Sequence, residues 1–284
     1  MNYRHIFHAG NFSDVVKHYV LTLCLEKLVQ KSTPFCVIDT HAGIGEYALA
    51  SPLAQKTKEF EQGIDLVLKA PHLPDSFESY LKVITAYNGI NQPLTLYPGS
   101  PLIARNFIRT GDRLILSELH PVDAEILASH FKRDPCVTVL NQDAYISLKA
   151  LLPPREKRGL VLIDPPFEKR DEFSALVNGM KNALARFAHG MYMIWFPIKD
   201  TKNCNQFYSA LQSLDLPKTL LLEFFLQKPV QKDVLNGCGL ILINPPFLLD
   251  KTLNSDLPAL TRILTENKGY TRLEWLAHEK KVGG

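Results

Sequence analysis

The chain has 284 residues, of which 46% are hydrophobic and 21% are charged, and its formal net charge is +3. This length and hydrophobic fraction are enough for a full α/β core and exclude a disordered chain. So small a net charge identifies no partner, and nothing implies an obligate protein partner. The segment 1–18 is too polar for a signal peptide and no apolar run approaches the ~20 residues of a membrane helix, so we expect a cytoplasmic protein with no membrane partner.

The first predicted element is a helix that starts near Ser13, since apolar residues recur at helical spacing from there. Asp14 and His18, four positions apart, should lie on one face of it. A single helical histidine is usually solvated or hydrogen-bonded, but nine functional side chains before the first strand favour a functional segment, which we place at 1–30. These side chains are Tyr3, Arg4, His5, Phe7, His8, Asn11, Asp14, Lys17 and His18.

Seven short apolar runs alternate with helical patterns and predict the strands of a doubly wound sheet. The loop 227–238 between the last two runs is too short for a crossover helix, so the last strand should be antiparallel. A parallel sheet with a reversed last strand is the plan of a class I S-adenosylmethionine-dependent methyltransferase, a Rossmann-like α/β fold. The runs are Phe35–Asp39, Arg113–Leu119, Val137–Leu140, Leu160–Asp164, Met191–Phe196, Thr219–Leu226 and Gly239–Asn244.

The first strand leads into a turn with two glycines, Gly43 and Gly45. Glycine lets the backbone approach a nucleotide-like ligand closely. With Ala48 and a following acid, Asp65, the turn also fits a dinucleotide fingerprint, so a nicotinamide enzyme is the competing prediction. However, the apolar residues around Asp65 recur at helical spacing with no second strand. Glu118, at the end of the second predicted strand, is therefore the better candidate for a ribose-binding acid.

The second strand is displaced along the chain by an insertion. Glu118 follows Asp39 by about 80 residues, whereas a βαβ unit needs roughly 30. The intervening runs Leu53–Leu68 and Pro74–Tyr87 both read as amphipathic helices, so we expect a helical hairpin that either binds substrate or only stabilises the fold. The expected domains are a methyltransferase domain, 1–48 and 96–284, and an inserted helical subdomain, 49–95.

Two further candidate site residues lie at the predicted starts of helices. Ser100, before Pro101, is expected to be the N-cap of a helix whose start could also face the carboxylate of a cofactor. Asp143, after the third predicted strand, either accepts a hydrogen bond from an adenine amino group or caps the helix Ala144–Leu152.

The segment 164–167, Asp-Pro-Pro-Phe, follows a buried apolar strand directly. Two prolines stiffen the turn and donate no hydrogen bond, which keeps the Pro165 carbonyl available beside the Asp164 carboxylate. Two such acceptors would orient an exocyclic amine such as adenine N6, while Phe167 offers a face for stacking. Alternatively, this is an ordinary proline turn at the end of a strand.

A second copy of this pattern, Asn-Pro-Pro-Phe, occupies 244–247 after the last predicted strand. The carboxyl ends of parallel strands share the ligand-binding edge of a sheet, but an antiparallel strand ends at the opposite edge. We therefore expect Asn244 to be structural and Asp164 to be the working group.

These segments together resemble the RlmJ family, bacterial methyltransferases of adenine N6 in large-subunit ribosomal RNA that use S-adenosylmethionine. The likeness runs from the first residues to Asn244-Pro245-Pro246. Two departures are Phe167, where the family often has tyrosine, and Ala144, where it often has glycine. The motifs are YRHxFHAGN from Tyr3, DVxKH from Asp14, DTHAG from Asp39, YPGSP from Tyr97, ELHP from Glu118 and LIDPP from Leu162.

The resemblance implies roles for single residues. Asp164 is then both catalytic and a cofactor contact, Tyr3 touches the RNA, and the candidate cofactor site comprises His18, His41, Ser100, Glu118, Asp143, Ala144 and Asp164. We add Gly43 to the cofactor site, Pro165 and Phe167 to the catalytic group, and Arg4 and Lys17 to the RNA contacts. The substrate expected is 23S ribosomal RNA, protein-free or in an early assembly state.

The mechanism expected from these residues begins with a flipped adenine, at a cost of a few kcal/mol. Phe167 stacks on the base while Asp164 and the Pro165 carbonyl accept from N6, and the amine receives the methyl group in line. The proton leaves after the methyl group arrives, because a neutral aryl amine is a very weak acid.

Other functions remain compatible with the sequence. A DNA adenine-N6 methyltransferase or a protein-amide methyltransferase would use a similar proline turn, and a non-catalytic ribosome assembly factor would bind the cofactor without turnover. No metal site is expected, because the five cysteines form no CxxC pair.

Overall fold

The computed structural model describes residues 4–90, 92–228 and 234–279, so Tyr3, predicted to contact RNA, lies outside the described residues. The strands are β1 (Cys36–Asp39), β2 (Glu46–Ala48), β3 (Leu96–Pro98), β4 (Arg113–Glu118), β5 (Val137–Asn141), β6 (Gly159–Ile163), β7 (Met191–Ile198), β8 (Thr219–Phe225), β9 (Gly237–Ile243) and β10 (Tyr270–Ala277).

The helices follow the same chain order. They are α1 (Phe12–Val29), α2 (Ala54–Thr57), α3 (Ile64–Lys69), α4 (Glu78–Asn88), α5 (Ser100–Arg105), α6 (Pro121–His130), α7 (Ala144–Leu151), α8 (Glu172–Arg186), α9 (Thr201–Gln212) and α10 (Leu249–Thr265). Single 3-10 turns cover His5–Phe7, Glu59–Gln62 and Asp75–Phe77. Among the helices of the described ranges, none is both long and apolar enough to cross a membrane.

Eight strands of the described chain form one sheet in the order β10-β8-β9-β7-β6-β1-β4-β5. The five strands from β7 to β5 are parallel, and β9 runs antiparallel to both neighbours, which confirms the predicted class and the reversed strand. The prediction missed β10, which pairs antiparallel with β8. Its apolar run is interrupted by Arg272 and Glu274, as is usual at a sheet edge.

The central strands are buried on both faces, as expected for a sheet covered by helices. In β6, Leu160 and Leu162 pack on the face covered by α1, α5 and α10, whereas Val161 and Ile163 pack on the face covered by α8 and α9. Helix α1 is buried from Phe12 to Leu25 because it lies between the sheet and the insertion. Polar side chains on α1 are therefore held inside the protein.

The insertion begins and ends in a small ribbon, because β2 and β3 pair antiparallel. The predicted helix Leu53–Leu68 is broken: Lys58 has a left-handed φ of 51°, a 3-10 turn follows, and α3 starts only after Gly63. Apolar side chains of the insertion, such as Ile64 in α3 and Tyr80 in α4, join the core around α1. The insertion therefore packs directly on the helix that carries the N-terminal polar residues.

Candidate active site

Three acidic residues meet at one edge of the sheet, where β1, β4 and β6 end side by side. The register pairs Asp39 with Leu116 in β4 and with Leu162 in β6. Glu118 and Asp164 each follow two residues later, so the three carboxylates leave the sheet at the same edge. This is the edge at which ligands bind in open α/β sheets.

Asp164 forms an ion pair with a buried cation. Lys17 Nζ lies 2.6 Å from Asp164 Oδ2 and 2.8 Å from Asp14 Oδ1, and Lys17 is only 4% exposed. Burial opposes the charge on Lys17, but the two carboxylates outweigh it and raise the pKa of its ammonium well above the usual value. Lys17, predicted to contact RNA, thus faces Asp164 inside the protein.

The N-terminal segment completes this network. Asp14 Oδ2 accepts from the Gly10 backbone N–H at 2.9 Å and lies 2.8 Å from His5 Nε2. Burial disfavours the Asp14 carboxylate, yet His5 and Lys17 hold its pKa well below the usual value. Arg4, the other predicted RNA contact, is exposed at the start of the described chain.

The aromatic side of the site lies beside Asp164. Phe167 has a left-handed φ of 50°, and its half-buried ring packs edge-to-face against Phe173 at 5.0 Å and Trp195 at 5.9 Å. Trp195 Nε1 donates to Ser13 Oγ at 2.8 Å. These contacts hold Phe167 next to Asp164, with Pro165 buried between them.

Sequence reasoning missed Trp195 and Ser13. The register pairs Ile163 of β6 with Ile194 of β7, which makes Trp195 the neighbour of Asp164 on the adjacent strand. Which residues two distant strands bring together depends on their register, and the sequence of neither strand shows that register. By contrast, the spacing of Asp14 and Lys17 at i, i+3 in α1 is visible in the sequence.

The glycine turn binds Glu118 through its backbone. Glu118 Oε2 accepts from the Gly43 N–H at 2.9 Å and Oε1 from the His120 N–H at 2.8 Å, and burial raises the pKa of Glu118. Gly43 has a φ of 61°, and a Cβ there would overlap Tyr47 Oη. This position therefore requires glycine for both its conformation and its packing.

Asp39 is tied to the start of α5. Gly99, not Ser100, is the N-cap of that helix, so the predicted capping role of Ser100 is wrong. Ser100 Oγ instead donates to Asp39 Oδ2 at 2.6 Å, while Asp39 Oδ1 accepts from the His41 N–H at 3.2 Å. Burial raises the pKa of Asp39 to about 6 despite these bonds.

Two histidines near this edge have lowered pKa values. His41 Nδ1 accepts from the Asp164 N–H at 3.3 Å, and burial lowers the pKa of His41 to about 4. His18 Nδ1 lies 2.7 Å from Tyr97 Oη, and burial lowers the pKa of His18 well below the usual value. His18 Nε2 is buried and has no hydrogen-bond partner among the described residues.

The two remaining candidates lie at the end of β5. Asp143 Oδ1 accepts from the backbone N–H groups of Tyr145 at 2.9 Å and Ile146 at 3.1 Å, so Asp143 is the N-cap of α7, as one prediction had it. Ala144, the first residue of α7, is buried.

Asn244 lies at the opposite edge, as predicted from the reversed strand. Its Nδ2 donates to the carbonyls of Ala188 and Gly190, both at 2.8 Å, which ties the end of β9 to the loop before β7. The second proline motif therefore has a structural role at its first position.

Comparison with known proteins identifies the family. The family model described as "Ribosomal RNA large subunit methyltransferase D, RlmJ" matches residues 32–277. Two proteins named ribosomal RNA large subunit methyltransferase J, from Haemophilus influenzae and Escherichia coli, are each 39% identical over 280 residues, which cover 98% of this chain and 100% of theirs.

Solved structures agree with this match. The crystal structure of a Legionella pneumophila protein superimposes with a TM-score of 0.88 at 37% identity, covering 94% of this chain and 98% of that chain. A probable spermidine synthase from Corynebacterium glutamicum shares the fold alone, with a TM-score of 0.51, 11% identity, and coverage of 96% and 81%. The resemblance seen in the sequence is thus confirmed: the chain belongs to the RlmJ family of large-subunit ribosomal RNA methyltransferases.

Proposed function

We propose that this protein methylates the N6 amino group of a specific adenine in 23S ribosomal RNA with S-adenosylmethionine as the methyl donor. The observation that carries the proposal is the position of Asp164. It leaves β6 at the ligand-binding edge, next to the aromatic ring of Phe167 and on the same edge as Asp39 and Glu118. A carboxylate in this position can accept a hydrogen bond from the amino group of an adenine, while the neighbouring aromatic ring stacks on the base.

The residues at this edge fit the cofactor. Glu118 and Asp39 offer carboxylate acceptors, Gly43 allows close backbone approach, and the buried His18 Nε2 lacks a partner among the described residues. Bound there, S-adenosylmethionine supplies an electrophilic methyl group on its sulfonium sulfur. The residues we propose to hold it are His18, His41, Gly43, Ser100, Glu118, Asp143, Ala144 and Asp164.

Asp164 orients the amine. Its Oδ2 accepts from Lys17, so we assign Oδ1, together with the Pro165 carbonyl, to the two N–H groups of adenine N6. The Lys17 ammonium stabilises the negative charge on Asp164, and Phe167 stacks on the flipped base. Asp164 is an orienting group first and accepts the proton only after the methyl group is on nitrogen.

The assignments of Lys17 and Arg4 follow from their exposure. We assign Lys17 to the orientation of Asp164, because its ammonium is buried, and we keep the exposed Arg4, with Tyr3, as RNA contacts.

The domain organisation and the state of the substrate complete the proposal. We retain 49–95 as an inserted subdomain within the methyltransferase domain 1–48 and 96–284. Protein-free or early-assembly 23S ribosomal RNA is the proposed substrate, since an adenine is flipped most cheaply where the RNA is unpaired.

The test is transfer of a labelled methyl group from S-adenosylmethionine to protein-free 23S ribosomal RNA that lacks this modification, with DNA as a parallel acceptor. We expect N6-methyladenine in the RNA and none with Asp164→Asn. The amide of asparagine has one acceptor oxygen instead of two, so Lys17 and adenine N6 would compete for it. Label in DNA alone would move the activity to a DNA adenine-N6 methyltransferase. Cofactor binding with no label in either acceptor would indicate a non-catalytic assembly factor.

A further inference from the structure

The backbone of the N-terminal segment touches the backbone of the insertion. The Ile64 N–H donates to the Gly10 carbonyl at 2.8 Å. A Cβ on Gly63 would overlap that same carbonyl, and a Cβ on Gly10 would lie 2.9 Å from Ile64 Cγ2. Glycines on both sides therefore permit an approach that no larger residue would allow.

A single carboxylate strengthens this joint. Glu59 Oε1 lies 2.9 Å from His8 Nδ1, and Glu59 Oε2 accepts from Asn11 Nδ2 at 2.9 Å. Burial opposes the charge on Glu59, but its bonds to His8 and Asn11 outweigh this and lower its pKa. Thr57 Oγ1 also donates to the Phe7 carbonyl. Residues 57–64, which we call the clasp, thus hold four residues of the segment 7–11.

The segment held by the clasp leads directly to Asp164. Asn11 is the N-cap of α1, and its Oδ1 accepts from the backbone N–H groups of Ser13 and Asp14. Asp14 in turn binds Lys17, whose ammonium binds Asp164. One continuous series of hydrogen bonds therefore runs from Glu59 through Asn11, Asp14 and Lys17 to Asp164.

We infer that the clasp positions the N-terminal segment for catalysis, with Glu59 as a positioning residue for the Lys17–Asp164 pair. This rests on the proposed function, in which that pair orients the substrate amine. Glu59 acts through its bonds to Asn11 and His8, and neither of these is a residue that we propose to hold the cofactor. The insertion then does more than stabilise the fold, because residues 57–64 hold the N-terminal segment in place.

The test compares Glu59→Ala with Glu61→Ala in the full-length protein. Glu61 is a matched control because it lies in the same 3-10 turn, is 50% exposed and pairs with Lys58 on the surface. Glu59→Ala should lower kcat for 23S ribosomal RNA by about tenfold, since small misplacements of reacting groups are costly. The Kd for S-adenosylmethionine should stay within about twofold of the control.

A second readout does not depend on activity. Hydrogen exchange of the Ile64 amide, which bonds to Gly10, should become faster in Glu59→Ala and stay unchanged in Glu61→Ala. The milder Glu59→Gln keeps one acceptor for Asn11, so its kcat and exchange rate should lie between those of Glu59→Ala and the control. This variant serves if Glu59→Ala does not fold.

Each contrary result has a distinct meaning. A kcat for Glu59→Ala equal to that of Glu61→Ala overturns the positioning role, whatever the exchange rates are. An equal loss of kcat and cofactor affinity also overturns it, because the segment would then build the cofactor site. If the wild-type protein does not methylate RNA, the proposed function fails. Unchanged Ile64 exchange in Glu59→Ala would separately show that Glu59 does not hold the clasp against the N-terminal segment.

Discussion

The ammonium of Lys17 lies 2.6 Å from Oδ2 of Asp164, although the two residues are 147 positions apart in the chain. Lys17 is on the first turns of α1 and Asp164 directly follows β6. The ion pair thus joins the N-terminal helix to the proposed catalytic motif. Burial disfavours the charge on Lys17, and the neighbouring carboxylates of Asp14 and Asp164 compensate for it.

Replacing Lys17 with methionine should lower both stability and activity. Removing one partner of a buried ion pair leaves Asp14 buried with less compensation, which costs about 3 kcal/mol of unfolding free energy. Methylation of 23S ribosomal RNA should fall at least about tenfold as Asp164 loses its orientation. In the double variant Lys17→Met/Asp14→Asn, urea unfolding should show partial recovery of stability, while the methylation assay should not recover. Recovered activity would show that Lys17 serves only to compensate Asp14.

Asp39 should make stability depend on pH. Burial raises its folded-state pKa from 3.8 to about 6, so the folded protein binds this proton more tightly than the unfolded chain does. Stability from this group is therefore full below about pH 4 and is lost as pH rises towards 6. Asp39→Asn, which needs no proton, should be more stable than wild type by roughly 2–3 kcal/mol at pH 8.

Urea unfolding of both proteins between pH 4 and pH 8 would measure this difference. The stability advantage of Asp39→Asn should grow between about pH 4 and pH 6 and then level off. A difference that stays constant with pH would show that protonation of Asp39 is not its cause. The variant should also bind S-adenosylmethionine more weakly, because Asp39 holds Ser100 and the His41 backbone at the cofactor edge.

Gly43→Ala should destabilise the glycine turn by two separable effects. The left-handed φ of 61° costs alanine about 1–2 kcal/mol, and the new Cβ overlaps Tyr47 Oη. In the Tyr47→Phe background the overlap disappears, because the next ring atom, Cζ, is 3.7 Å away. The cost of Gly43→Ala, measured by urea unfolding, should therefore be smaller in that background. Equal costs in both backgrounds would refute the steric part.

Phe167→Ala and Phe247→Ala form a matched pair, since each phenylalanine ends a copy of the proline motif. Phe167 packs beside Asp164, whereas Phe247 is 78% exposed at the opposite edge. Phe167→Ala should raise KM for the RNA and lower kcat/KM by about tenfold, as base stacking is worth about 1–3 kcal/mol. Phe247→Ala should match wild type in the same assay. Similar losses for both would mean that the choice of motif by topology is wrong.

The acidic residues of the site could be predicted because their signals are local. Asp39, Glu118 and Asp164 each end an apolar run, and parallel strands bring their carboxyl ends to one edge. The role of Asn244 was predictable for the same reason, since the short loop before β9 required a reversed strand. By contrast, β10 lacked a continuous apolar run and was missed.

By itself, the sequence determined the sheet apart from β10, its reversed strand, the position of the acidic edge and the family, because hydrophobic periodicity and short motifs are properties of neighbouring residues. Only the tertiary structure decided that Lys17 pairs with Asp164, that Trp195 lies beside it, and that Glu59 binds the N-terminal segment. These contacts join residues far apart in the chain. They depend on strand register and helix packing, which the pattern of any one segment does not specify.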